Sequence, residues 1–338
     1  MKQAAILGDR KAGLIEVPDP QPKEDWVVVK IHAAPMCTEY KGFGGEGTAE
    51  YLGHEAAGEV VAVAQPGKVK EGDRVVVMPQ YPCGQCRLCI SGEYIHCQNS
   101  YNFTEFTGSR SGSATMAQYI LKPSWILPKI PDGMSYERGS LACCALGPSF
   151  GTFQTMGLST FDTVLITGIG PVGFGALVNA RFRGARVIAV ESVPWRVERA
   201  KEMGADEVLN PSDEDIVQQI MNLTDGIGVD YAIDCSGNVN AQRLCIDATR
   251  RKGKVAFVGE CGTALEVFGS RDFIRKGLTL FGNWHYNLND FPGIMKVAAE
   301  SPLIELFISH VLPMSEIQKA LEIGSSQQNA KMILKPWE

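Results

Sequence analysis

Ten cysteines in one chain need a chemical reason, and four of them fall in a single run, Cys83-Gly-Gln-Cys86-Arg-Leu-Cys89-Ile-Ser-Gly-Glu-Tyr-Ile-His-Cys97. Thiolates spaced C-x2-C-x2-C-x7-C can close a tetrahedral shell around one ion without long loops, which is metal spacing rather than a disulfide framework. A closed all-sulfur site is structural: it holds a lobe, residues 80–100, that has too little apolar surface to fold alone. Iron–sulfur ligation and chance clustering are the alternatives. Upstream lie Cys37-Thr38-Glu39 and Gly53-His54-Glu55. A soft thiolate and an imidazole at two separate turns suit Zn²⁺, although alone such a pair is more often a buried cysteine and an unrelated histidine. His32 and His96 carry no motif, and Cys235, Cys245 and Cys261 lack metal spacing and read as core thiols.

A second chemistry is written in Thr163–Glu191, TVLITGIGPVGFGALVNARFRGARVIAVE. Val164-Leu165-Ile166 reads as a buried parallel strand, Val172 to Arg181 as a helix, and Val187–Val190 as a second strand ending at Glu191. Between the first strand and the helix run Gly168, Gly170, Pro171, Val172 and Gly173, in the pattern G-x-G-x-x-G. Gly168 permits the tight turn, Gly170 a close approach to a pyrophosphate, and Gly173 close packing of helix on strand. The helix start offers N–H groups and a positive dipole end to phosphates. Glu191 would accept from the adenosine ribose hydroxyls and repel a 2′-phosphate, which favours NAD over NADP. The bland alternative is a glycine-rich turn of some other α/β protein.

The elements that must position these residues divide the chain. Residues 1–35 open all-β, with strands at Gln3–Leu7 and Trp26–Ile31 around a proline-rich connection, and Val60–Val63 and Val75–Met78 add two more. Beyond Glu191, a strand and turn are expected over Val229–Gly237 and again over Lys254–Glu260, a closing strand at Leu278–Gly282, and an amphipathic helix at Ser315–Ile323. At 338 residues there is room for two full cores. A net charge of −6 without dense Lys/Arg runs argues against nucleic acid, and no apolar run reaches membrane-spanning length. The expectation is a cytoplasmic protein with no membrane partner.

These motifs together resemble the zinc-dependent medium-chain alcohol and polyol dehydrogenases over essentially the whole length. Gly53-His54-Glu55, Gly72-Asp73-Arg74-Val75, the Cys83–Cys97 lobe, the glycine fingerprint and the closing Lys331-Met-Ile-Leu-Lys-Pro336 all carry the resemblance. It implies an α/β fold: a GroES-like β catalytic domain, residues 1–147 and 285–338, plus a Rossmann NAD-binding domain, residues 148–284, with the active site in the cleft between them.

By the same resemblance Cys37 and His54 bind a catalytic zinc. The third ligand is Cys144, counted back from Gly168, with Cys143 its neighbour, and Glu55 is an outer contact or an exchanging fourth ligand. Thr38 takes the substrate proton. Arg196 approaches the adenosine ribose and is the one hint toward a phosphate. Val258 lies on a loop beside the nicotinamide, and Lys331 contacts the pyrophosphate, with a surface strand residue as its bland alternative. Where relatives read C-G-T-D-x-H, this chain has Cys37-Thr38-Glu39-Tyr40-Lys41, as though one residue were deleted, so the following helix must start differently. Trp284-His285-Tyr286 is expected as a domain-interface cluster or a pocket wall. The resemblance implies two zinc ions per chain, NAD, a small alcohol or polyol substrate, and a homotetramer or homodimer. An NADPH-dependent reductase and a non-catalytic nucleotide-binding relative are the rivals.

Overall fold

The computed structural model describes all residues, 1–338. Its strands are β1 (Lys2–Gly8), β2 (Lys11–Glu16), β3 (Trp26–Met36), β4 (Ala56–Ala62), β5 (Arg74–Val77) and β6 (Tyr119–Pro123). They continue with β7 (Thr163–Thr167), β8 (Arg186–Val190), β9 (Glu207–Leu209), β10 (Val229–Asp234), β11 (Thr249–Phe257) and β12 (Thr279–Gly282). The last two are β13 (Ile308–Pro313) and β14 (Lys331–Lys335). The chain forms two compact units: residues 1–147, 285–300 and 308–338 make the first, residues 148–284 and 301–307 the second. No helix is long and apolar enough to cross a membrane.

The first unit is built on one long strand. β3 is buried at nearly every position because it has partners on all sides: antiparallel β4 and β6 along its length, then antiparallel β14 at Ala34–Met36. An uninterrupted run such as Val27-Val28-Val29 is what a strand covered on both faces requires. β3 therefore extends past the expected end at Ile31, through Pro35, because β14 pairs with it there. The core beneath it gathers Val29, Ile31, Met36, Phe43, Val60, Val75, Met116, Met314, Leu321 and Leu334. The closing helix Ile317–Ser325 packs its buried Ile317, Ala320 and Leu321 into that core.

The second unit is a parallel sheet in the order β12-β11-β10-β7-β8-β9. Counted from β7, that is strand order 3-2-1-4-5-6 of a doubly wound dinucleotide-binding fold, with its switch point between β7 and β10. Ser301–Phe307 belongs to this unit: its helix Ile304–Phe307 packs on the helix Pro171–Phe182 with Ile304 and Phe307 fully buried.

Candidate functional sites

His54 is delivered by a turn that only glycine fits. Gly53 has φ +86°, and a Cβ there would lie 2.5 Å from Thr115 Oγ1. The same Thr115 hydroxyl accepts the Glu55 N–H, pinning the turn at 3.1 Å. Cys37 follows the last residue of β3, and Cys144 lies in the tight turns between the helices Tyr136–Ser140 and Gly147–Met156. These elements bring one donor atom each of Cys37, His54, Glu55 and Cys144 within 4.8 Å of one another. His54 Nε2 lies 3.1 Å from Cys144 Sγ. Cys143 points elsewhere, its Sγ 3.6 Å from the Val77 carbonyl, and burial pushes its thiol up to about 12.

The surroundings of the cluster are acidic and basic in turn. Glu39 accepts the Cys37 N–H at 2.7 Å, and its other oxygen lies 3.3 Å from His54 Nδ1. A carboxylate on Nδ1 leaves Nε2 to face the cluster, the orientation of a metal-binding imidazole. Burial alone would lower the His54 pKa, but the hydrogen bonds to Cys37 and Glu39 outweigh it and hold it well above the ordinary value. Cys37 is held well below the usual thiol range, foremost by the hydrogen bond it shares with Cys144, whose own thiol is raised by that bond and by burial.

Glu55 is fully buried with both oxygens engaged: Oε2 accepts the Cys144 N–H at 3.0 Å and Oε1 lies 2.6 Å from Lys331 Nζ. Burial pushes its carboxyl up to about 7 even against that ammonium. Lys331 is fully buried at the start of β14, so it is not a surface strand residue, and Glu55 holds its ammonium above the ordinary lysine range despite burial. Thr38, beside Cys37, is exposed, and only a four-residue helix, Tyr40–Phe43, follows it.

Two residues given no role at the metal in the sequence also face the cluster. Glu39 lay inside the Cys37 motif, but nothing in its spacing showed that it would turn back on His54. His285 Nδ1 lies 3.3 Å from Cys144 Sγ, and burial, followed by His54 and Lys122, lowers its pKa to about 4.

The donor set fits a divalent cation. Two thiolates cancel the charge of Zn²⁺, the imidazole is neutral as a ligand, and Glu55 and Lys331 cancel each other. The four-cysteine lobe fits still more closely. Its sulfurs are separated by 3.5 Å (Cys86–Cys89), 3.6 Å (Cys83–Cys97), 3.9 Å (Cys86–Cys97) and 4.0 Å (Cys83–Cys89). A tetrahedral Zn–S shell with bonds of about 2.3 Å puts its sulfurs about 3.8 Å apart. The Cys83 and Asn99 N–H groups donate to Cys97 Sγ, and the Cys86 N–H to Cys83 Sγ, as outer contacts that a thiolate would need.

In the second unit, the fingerprint turn leaves β7 with Gly168 at φ +79°, where a Cβ would sit 2.5 Å from Ser236. A Cβ at Gly173 would strike the Gly168 carbonyl at 2.0 Å. Around Gly170 there is space instead: the nearest atom to a Cβ there is Arg196 Nη1, at 3.7 Å. Pro171 and Val172 begin the helix that points its N-terminus into that space. Arg196 is only 7% exposed, and its Nε and Nη2 have no partner. Glu191 is also buried, accepting from the N–H groups of Ile169 (2.8 Å), Ser192 (2.7 Å) and Val193 (2.9 Å). Orphaned guanidinium donors beside an open glycine and a helix N-terminus are what a dinucleotide site looks like without its ligand. Asp234, unremarked in the sequence, orders the facing loop by accepting from Thr167, Ser236 and Gly237. Val258 begins the loop after β11, its N–H on the Asp234 carbonyl at 2.9 Å.

Comparison with known proteins bears on the family and the fold. Residues 23–132 match the alcohol dehydrogenase GroES-like domain and residues 171–300 the zinc-binding dehydrogenase family. The chain is 31% identical to L-threonine 3-dehydrogenase of Symbiobacterium thermophilum, over 96% of this chain and 94% of that one. It is 33% identical to sorbitol dehydrogenase of Bacillus subtilis, over 77% and 75%. The solved alcohol dehydrogenase TADH from Thermus sp. ATN1 superposes with a TM-score of 0.89 at 25% identity, covering 99% of each chain. The chain therefore belongs to the zinc-dependent medium-chain dehydrogenases, oxidoreductases that act on CH–OH groups.

Proposed function

We propose that this chain interconverts a secondary alcohol or polyol and its carbonyl compound, using NAD(H), a catalytic zinc held by Cys37, His54 and Cys144, and a structural zinc held by Cys83, Cys86, Cys89 and Cys97. One observation carries the reading: donor atoms of residues 37, 54, 55 and 144 all lie within 4.8 Å of one another. Zinc there supplies Lewis acidity toward a substrate oxygen, and the nicotinamide supplies the hydride acceptor or donor.

The protein's own residues do the rest. Glu39 holds the His54 ring so that Nε2 faces the metal position. Glu55, tied to Lys331, fixes the Cys144 backbone rather than competing for the ion. Thr38 is the hydroxyl that hands the substrate proton outward, and its exposure beside Cys37 supports that role. Glu191 and Arg196 flank the fingerprint and take the adenosine half, while Val258 borders the nicotinamide half. We take the protein to be cytoplasmic and to associate through its dinucleotide-binding unit as a dimer or tetramer.

A second reading, an NADPH-dependent reductase on the same scaffold, draws on the unpartnered Arg196 donors. The buried negative charge of Glu191 in the same turn favours NAD.

The test is Cys37→Ser and His54→Ala, assayed on an alcohol panel with NAD and NADP. Both variants should lose turnover, keep dinucleotide binding and hold one zinc fewer per chain. Substantial turnover in either variant would overturn the catalytic-zinc assignment, and a preference for NADP would replace the cofactor.

A further inference from the structure

Beyond the ligands themselves, one imidazole touches the cluster from outside it. His285 Nδ1 lies 3.3 Å from Cys144 Sγ, and its ring centroid is 5.8 Å from that of His54 at 69°. It is not among the residues whose donor atoms are mutually close enough to share an ion. It touches one ligand sulfur instead.

The position is a constructed one. His285 adopts φ +53°, a left-handed conformation that a residue with a Cβ rarely takes, and such strain is retained where the surroundings impose it. What imposes it is the next residue. Tyr286 is 1% exposed, and its ring packs on Gly147, where any Cβ would lie 2.3 Å from Tyr286 Cδ1. Gly147 in turn donates its N–H to the Cys143 carbonyl. The pair His285–Tyr286 thus braces both sides of the turn that carries Cys144.

We propose that His285 is a positioning residue: its Nδ1–H donates to the Cys144 thiolate and draws charge from that ligand, which strengthens the metal's hold on a substrate oxygen. The inference rests on the zinc reading above. A ligated thiolate can only accept, so the imidazole must carry its hydrogen on Nδ1. N–H donors to metal-bound ligands orient them and tune the ion, and their loss commonly costs roughly 10–100-fold in activity or affinity.

Cobalt(II) substitution reads the thiolates directly, because the sulfur-to-metal charge-transfer bands follow sulfur basicity. His285→Phe removes the donor while keeping an aromatic ring, and His285→Asn returns an N–H near the Nδ1 position. The Phe variant should hold as much cobalt and zinc as the parent, show its charge-transfer band moved to longer wavelength, and lose roughly 10–100-fold in kcat with KM changed less. The Asn variant should restore both band and kcat in large part. The bands of the four-cysteine lobe, common to all three proteins, report that the variants are folded.

An unmoved band in the Phe variant, or an Asn variant that restores nothing, would overturn the proposal. So would loss of one metal per chain in the Phe variant, which would make His285 a ligand. If the parent itself takes up metal only in the lobe, the zinc reading fails, and that result is distinct from all of these.

Discussion

Lys331 Nζ and Glu55 Oε1 lie 2.6 Å apart with both side chains fully buried, a contact between residues at opposite ends of the chain. Each charge is stable there only because of the other, since removing one partner of a buried pair leaves an uncompensated charge and costs about 3–5 kcal/mol. Lys331→Met should therefore lower the unfolding free energy of the metal-loaded protein, read from its denaturant titration, by that much. Glu55→Gln added to it should restore a large part of the loss, because both charges are then gone. A double variant no more stable than the single one would show that the lysine acts through packing rather than through Glu55.

Glu39 makes a second test of how the cluster is held. Its carboxylate orients His54 and also accepts the Cys37 N–H, so it acts on two ligands at once. Glu39→Ala should weaken zinc at the catalytic position by roughly 10–100-fold and leave the four-cysteine lobe loaded. Competition against a chromophoric chelator resolves the two classes of zinc. Equal affinity in parent and variant would remove Glu39 from the metal-holding apparatus.

What the sequence disclosed, and what it hid, follows from contact distance along the chain. The glycine fingerprint and the four-cysteine lobe each lie within one short stretch, where spacing and geometry are nearly the same information. The count back from Gly168 points to Cys144 rather than Cys143, but neighbouring residues differ in which way the backbone turns them, and no spacing reads that. The Cys144 N–H bond to Glu55 settles that direction from 89 residues away. Lys331 was legible as part of the closing strand, but its counter-ion was not, because Glu55 lies 276 residues upstream. The strand expected to end at Ile31 runs on to Met36 because β14 supplies a partner there. His285 stood in an aromatic triplet with no spacing to any motif.

Lys122 gives a prediction in pH. It is 4% exposed, donates to the Gln80 carbonyl at 2.8 Å, and its ammonium lies 3.8 Å from the centre of the Tyr81 ring. Burial lowers its pKa to about 7, only partly opposed by Cys143. In the unfolded chain a lysine titrates near 10.4. Between those values the unfolded state binds the extra proton, so stability must rise with pH across that window, by at most about 1.4 kcal/mol per pH unit from this group. Below pH 7 both states are protonated and the full desolvation penalty remains. Lys122→Met should accordingly raise the melting temperature at pH 7, raise it less at pH 9.5, and flatten the profile between them. If the parent and the Met variant show parallel stability profiles across that range, the buried ammonium is not the titrating group.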